Sequence, residues 1–319
     1  MDKSSNFKTI LRNILNHKDT KILLILFGIL IFSSLFVNNF NTWRNLRVIL
    51  INVPIVGIVS IGVTMLMISG EFDLSVGSIV ALGPFVMLSL INIGVPVYIS
   101  LILSLLIGVI TGFLNGFIVT NWNVPSLIIT LGSAMIWRGA TLILSQGSPS
   151  TIPKNFILRK ILAGEIFKVP VQFIWFLILA IILWIILEYS YYGNWVFSSG
   201  GNRMAAEARG INTSKVKIFN FMIVGLLSSF AGLVQLSQLG SVFPLQGSGM
   251  ELSAIASSVI GGTLISGGAG SIIGTFVGVL IISIINNVLI LAGAPGYWYQ
   301  LFVGLIIIIV VIVYSLRRG

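Results

Sequence analysis

Three acids stand where acids are expensive. The stretch Ser69-Gly70-Glu71-Phe72-Asp73-Leu74-Ser75-Val76-Gly77-Ser78 sets Glu71 and Asp73 between two long apolar runs. Glu251 opens a further run that ends in Gly261-Gly262 and Gly267-Gly268-Ala269-Gly270. A carboxylate at hydrocarbon depth is costly and faces a cavity, a partner or water. One reading is a pair of broken helices whose glycines open the backbone and whose polar groups line a path for a solute. The other is a solvated hairpin turn at the first place and glycines serving close helix packing at the second. On the first reading the lining candidates are Asp73, Ser75, Asn115, Glu251, Asn286 and Asn287. Arg138, within Met135-Ile136-Trp137-Arg138-Gly139, is a cation inside an apolar run. It can pair with a buried acid, but a long side chain near a helix end is expected to reach the headgroups beside an interfacial Trp.

Other chemistry is excluded. The chain has no Cys, and its single His, His17, lies in the polar N-terminal tail, so there is no His/Cys metal site. No Gly-x-x-x-x-Gly-Lys-Ser/Thr loop is present to cradle phosphates, so ATP hydrolysis is not expected on this chain. Nor does any Ser/His/Asp or paired-carboxylate pattern mark a soluble cleft, and no catalytic residue is expected.

The elements that must position these residues follow from composition. Of 319 residues, 56% are apolar and 8% charged, too little polar surface to coat a soluble globule. A spanning helix takes about 20 mostly apolar residues. Apolar runs at 22–37, 48–69, 74–92, 95–120, 124–145, 171–188, 217–239, 251–265, 271–292 and 297–316 predict an all-α, polytopic membrane protein of about ten transmembrane helices. The whole of 1–319 is then one membrane domain with a polar tail at 1–21. The first run follows that tail and lacks a small-residue cleavage site, so it reads as a first helix.

An even number of spans puts both termini on one side. Placing that side in the cytoplasm collects Lys3, Lys8, Arg12, Lys18, Lys21, Arg203, Arg209, Lys215, Lys217, Arg317 and Arg318 there. Arg44, Arg47, Lys154, Arg159, Lys160 and Lys168 would lie outside, so charge favours this orientation without deciding it. The net charge of +10 belongs to this pattern and implies no nucleic-acid partner.

The chain also resembles itself. Phe72-Asp73-Leu74-Ser75 reads like Met250-Glu251-Leu252-Ser253, and Leu114-Asn115-Gly116 is echoed by Ile285-Asn286-Asn287. An offset of five spans predicts an inverted repeat of helices 2–5 and 7–10, with a transport path at its interface.

The segment 189–216 differs in kind, being polar and long between tightly joined spans. Gly200-Gly201-Asn202 reads as a helix-breaking lead-in, and Met204 to Arg209 as a short helical run closed by Gly210. Such a helix on the membrane surface could touch another protein, or be an ordinary surface loop. Gly200-Gly201-Asn202, Ala205-Ala206, Gly210-Ile211-Asn212 and Lys215-Val216-Lys217 together resemble the cytoplasmic loop of ribose-type permease subunits of bacterial ABC importers. Asp73 to Ser78, Gly247 to Leu252 with Ala254-Ile255-Ala256, Gly261-Gly262-Thr263 and Ile285-Asn286-Asn287 agree in order and spacing.

The resemblance implies the permease of an ATP-driven importer for a monosaccharide, ribose or a similar pentose, in the bacterial cell membrane with both termini cytoplasmic. It implies a second permease subunit, expected to be a second copy, an extracytoplasmic sugar-binding protein, and cytoplasmic ATP-binding subunits that carry the ATP and Mg. Contact with those subunits would fall on the 189–216 loop, at Gly201, Asn202, Met204, Ala205, Ala206, Glu207, Gly210 and Ile211. The family's Glu-Ala-Ala pattern would put Glu where Met204 stands, with Glu207 three residues later. A permease for another sugar-like solute or nucleoside, and an ion-coupled carrier using Asp73 and Glu251, are the alternatives. The carrier has no need of a docking helix.

Overall fold

The computed structural model describes residues 18–153, 156–295 and 298–316. Lys3, Lys8, Arg12, His17, Lys154, Arg317 and Arg318, and with them most of the tail, lie outside the described residues.

A helix occupies each of the predicted runs. In chain order these are α1 (Lys18–Phe36), α2 (Trp43–Ile68), α3 (Val76–Asn92), α4 (Val97–Trp122) and α5 (Ser126–Ser145). A short helix α6 (Leu158–Ala163) precedes α7 (Val171–Tyr189). Segment 189–216 holds α8 (Tyr191–Gly201) and α9 (Arg203–Ala208) and leads into α10 (Thr213–Leu239). Then come α11 (Met250–Ile260), α12 (Ile272–Leu291) and α13 (Trp298–Leu316). Among the described residues six of these, α2, α4, α5, α7, α10 and α12, are long and apolar enough to cross a membrane, and α1, α3 and α11 carry shorter apolar stretches. The protein is therefore an all-α, multi-pass membrane protein.

Two outcomes differ from the expected boundaries. The run 251–265 is helical only to Ile260, because Gly261 and Gly262 end it and a backbone turn continues to Ser271. The loop 189–216 is mostly helix: α8 and α9 are separated by Asn202, whose side chain caps α9 by accepting the Ala205 N–H at 3.0 Å. Two-residue strands also pair Ser150–Thr151 with Ser241–Val242, and Glu165–Ile166 with Val169–Pro170. These tie loops together at the end of the bundle opposite α8.

α2 and α10 form the centre. α10 packs on α2, α3 and α4, and α2 packs on α10, α11 and α12. Lipid tails give helices no hydrophobic reason to associate, so close backbone approach and internal hydrogen bonds must hold them. Both are present. Thr64 Oγ1 lies 2.9 Å from Ser258 Oγ and 2.6 Å from Thr275 Oγ1, joining α2, α11 and α12. Ser104 Oγ donates to the Gly83 carbonyl and Ser229 Oγ to the Ser104 carbonyl, each at 2.7 Å, joining α3, α4 and α10.

At the α4–α10 crossing a methyl on Gly225 would run into the Gly108 carbonyl and lie 3.2 Å from Gly112 N. Backbone cannot yield as a side chain can. Gly225→Leu is expected to cost about 3 kcal/mol or more and to lower the melting temperature of the detergent-solubilised chain. Leucine at Gly132, which has open space around it, should leave melting unchanged.

Candidate transport site and coupling joint

The first break, between α2 and α3, is set by hydrogen bonds of its own side chains. Asp73 Oδ1 accepts from Ser75 N at 2.7 Å and from Ser75 Oγ at 2.6 Å. Asn115, from α4, donates through Nδ2 to Ser75 Oγ at 3.0 Å and to Asp73 Oδ2 at 3.3 Å. All three are buried. The carboxylate also sits at the N-terminus of α3, where the unpaired N–H groups and the helix dipole favour negative charge. Three of the sequence candidates thus meet as one cluster, and its geometry holds the broken backbone in shape.

Glu71 lies two residues away but behaves differently. It pairs with Lys217 of α10 at 2.5 Å, with side chains 13% and 12% exposed. Removing one partner leaves the other charge largely buried, so Lys217→Ala is expected to destabilise the protein by about 3 kcal/mol. The double variant with Glu71→Gln should recover most of that in a thermal melt.

Asn287 is buried on α12 and donates to Asn45 Oδ1 of α2 at 2.8 Å, and Asn45 in turn donates to the Phe40 carbonyl at 3.0 Å. Asn286 is half-buried on the same helix. These two lie apart from the Asp73 cluster.

Glu251, in the first turn of α11, accepts from Gly249 N at 3.2 Å. Its other carboxylate oxygen and the Gly247 carbonyl close on the space a side chain at Gly77 would need, so the N-terminal ends of α3 and α11 meet backbone to backbone. Arg138 does not reach outward along the helix to the headgroups. It turns inward and donates through Nη1 to the Pro244 carbonyl at 2.7 Å and the Gln246 carbonyl at 2.8 Å. Those carbonyls lie in an irregular segment that no helix satisfies, and the guanidinium supplies the missing donors.

The end of the bundle that carries α8 has a joint made almost wholly of backbone. Gly200 and Gly201, the last residues of α8, lie against Gly70 of the first break and Gly267-Gly268 of the second. Gly268 N donates to the Ile68 carbonyl at 2.8 Å. A methyl on Gly200 would collide with that same carbonyl and stand 2.8 Å from Gly268 N; one on Gly268 would stand 2.6 Å from Gly201 Cα. Gly70 and Gly268 also have φ of +89° and +78°, open to glycine at little cost. Both helix breaks and the end of α8, where α9 begins, therefore share one contact. The repeated Gly-Gly pairs at 200–201 and 267–268 were its only trace in the sequence, and nothing in them says that they touch.

From that joint α9 projects outward. Met204 is 81% exposed, and Ala205 and Glu207 are exposed, whereas Ala206 is 3% exposed and faces the bundle. Arg203 Nε at 2.8 Å and Thr213 Oγ1 at 2.6 Å donate to Glu207 Oε1. Those hydrogen bonds, the Arg203 one first, hold the Glu207 carboxyl below its ordinary range. Gly210, at φ +82°, turns the chain into Ile211, and both line an open cleft of about 660 Å³ with Tyr192, Trp195, Lys215 and Phe219.

The sequence matches the family described as branched-chain amino acid transport system / permease component over residues 45–311. It is similar to the ribose import permease protein RbsC of Bacillus subtilis (strain 168), 37% identical over 288 residues, 90% of this chain and 89% of that protein. The protein of the same name from Escherichia coli (strain K12) is 33% identical over 281 residues, 86% of this chain and 87% of its own. The D-allose transport system permease protein AlsC of Escherichia coli (strain K12) is 36% identical over 280 residues, 87% of this chain and 85% of its own. No solved structure matches.

Proposed function

The chain belongs to the branched-chain amino acid transport system / permease component family, and we propose that it is the membrane permease of an ATP-driven importer for a monosaccharide, ribose or a similar pentose. The family makes it a transport subunit and not an enzyme. The names of the relatives, two of them ribose import permeases and one a D-allose permease, support the sugar class.

In this reading the membrane domain covers 1–319 and crosses about ten times, with α3 and α11 as broken spans. The second to fifth and the seventh to tenth spans, α2–α5 and α10–α13, form an inverted repeat. The exchanged packing supports it: α2 lies on the two helices after α10 much as α10 lies on the two after α2. Both termini face the cytoplasm, as does the 189–216 segment. Two copies of the chain pair, a sugar-binding protein delivers the solute outside, and two ATP-binding subunits carrying ATP and Mg dock inside.

The observation that carries the mechanism is the glycine joint. ATP-driven movement of the partner subunits would press on the exposed face of α9 around Met204, Ala205 and Glu207, with Asn202, Gly210 and Ile211 holding that helix in place. The push would pass through Gly200 and Gly201 to both helix breaks at once, without side chains to absorb it. The Asp73–Ser75–Asn115 cluster, Glu251 and Asn286–Asn287 would then shift with the helices that bound the path.

The test is to purify the chain from its native membrane in mild detergent, identify what accompanies it, and reconstitute the complex. An associated ATPase and ATP-dependent uptake of a pentose are expected. A lone chain that takes up sugar down an ion gradient would overturn the reading.

A further inference from the structure

α5 rises about 1.5 Å per residue, which places Arg138 about 18 Å from the start of the helix and about 10 Å from its end. A charge held at that depth is costly unless it meets water or polar partners. Beside it lies a cleft of about 400 Å³ between α3, α5 and the chain around Ser248, lined by Arg138, Glu251, Ser78 and Ser248 among apolar neighbours such as Leu131 and Met135. The opposite charges share this cleft without closing on each other: among the described residues the ion pairs are Arg47–Glu165, Arg203–Glu207 and Lys217–Glu71. Nη1 of Arg138 is taken by two backbone carbonyls, while Nη2 and Nε have no protein partner among the described residues. Glu251 Oε1 accepts one N–H, leaving acceptor capacity free.

A fixed donor and a fixed acceptor held apart select one kind of guest. A hydroxyl donates and accepts at once, so neighbouring hydroxyls on one small molecule can take hydrogen bonds from the guanidinium and give them to the carboxylate. An anion would be repelled by Glu251 and a cation by Arg138. We propose that this cleft is a hydrated subsite for a neutral polyhydroxylated solute, with Arg138 and Glu251 its two contact residues and Ser78 and Ser248 on its wall. The subsite rests on the monosaccharide reading above and adds to it the residues that the solute touches.

The absence of Cys from the chain permits a direct experiment on the complete transporter in proteoliposomes, with its ATPase and binding-protein partners. Ser78→Cys and Ser248→Cys, made singly, are treated on both sides with a charged, membrane-impermeant methanethiosulfonate, which needs water to reach a thiolate. Both are expected to react, and ribose with its binding protein and ATP to slow the reaction about tenfold or more. Ile181→Cys, on the exposed face of α7, is expected not to react. Labelling is a readout that a purely structural Arg138 would not produce. No reaction at 78 and 248 in any nucleotide state, or reaction that sugar never slows, would overturn the subsite. As a second measurement, Arg138→Gln and Glu251→Gln should each lower pentose uptake about tenfold or more, and uptake at the wild-type rate in both would overturn it too. Failure of the wild-type complex to take up any monosaccharide with ATP would instead overturn the permease reading.

Discussion

Gly200→Ala should cut the sugar moved per ATP hydrolysed by about tenfold or more, while Gly201→Ala costs little. The two residues are neighbours on one helix and differ only in what a methyl would meet. At Gly200 it meets the Ile68 carbonyl and Gly268 N; at Gly201 the nearest atom is Gly268 Cα at 3.7 Å, ordinary contact. Relieving the Gly200 clash means separating α8 from both helix breaks. Overpacking of this kind typically costs about 1–3 kcal/mol, enough to shift a two-state packing equilibrium by about fivefold to 150-fold. The check is ATP hydrolysis and uptake measured on the same reconstituted vesicles. Equal losses in the two variants would mean that the joint is ordinary packing and that movement passes elsewhere.

Arginine at Ala205 should weaken binding of the ATPase subunit by about thirtyfold or more, the size of an interface hot spot, and leave the melting temperature of the isolated permease unchanged. Arginine at Ala206 should do the reverse first. Ala206 is turned into the bundle, so the longer cationic side chain must either break packing or stay buried without a partner, at about 3 kcal/mol or more. Copurification of the ATPase subunit and thermal melts of both variants separate the two effects. Met204, at 81% exposure, offers a further comparison. Met204→Glu restores the acid of the family's pattern, and if it binds the partner more weakly than the parent chain, this chain's partner is matched to an apolar residue there.

Much of the architecture was legible because lipid imposes a severe rule: backbone groups in hydrocarbon must bond within their own segment. Apolar runs of the right length therefore had to be helices, and their edges were set by local chemistry. Asn202 and Asn212 cap α9 and α10 through their own side chains. Asp73 and Ser75 stood out as polar residues between apolar runs, and the hydrogen bonds that join them span only two residues. Arg138 was misread for a physical reason. Its neighbour Trp137 suggested an interface, whereas the guanidinium satisfies carbonyls 106 and 108 positions away, in an irregular stretch whose need for donors no local pattern displays.

The sequence by itself determined the solvent of this protein, its helices, the two glycine-interrupted breaks and the short helix between the sixth and seventh spans, which the resemblance marks as the expected partner contact. All of these depend on composition and on contacts within a few residues. Only the tertiary structure decided which broken ends meet, that Gly200 bears on both Gly70 and Gly268, that Glu71 belongs to Lys217 while Asp73 belongs to Asn115, and that Arg138 and Glu251 face one cleft. The physical reason is that in a membrane these pairings arise from close approach and hydrogen bonding between helices distant in sequence. Glycine, the residue that permits the closest approach, has no side chain to show in a sequence which surface it will touch.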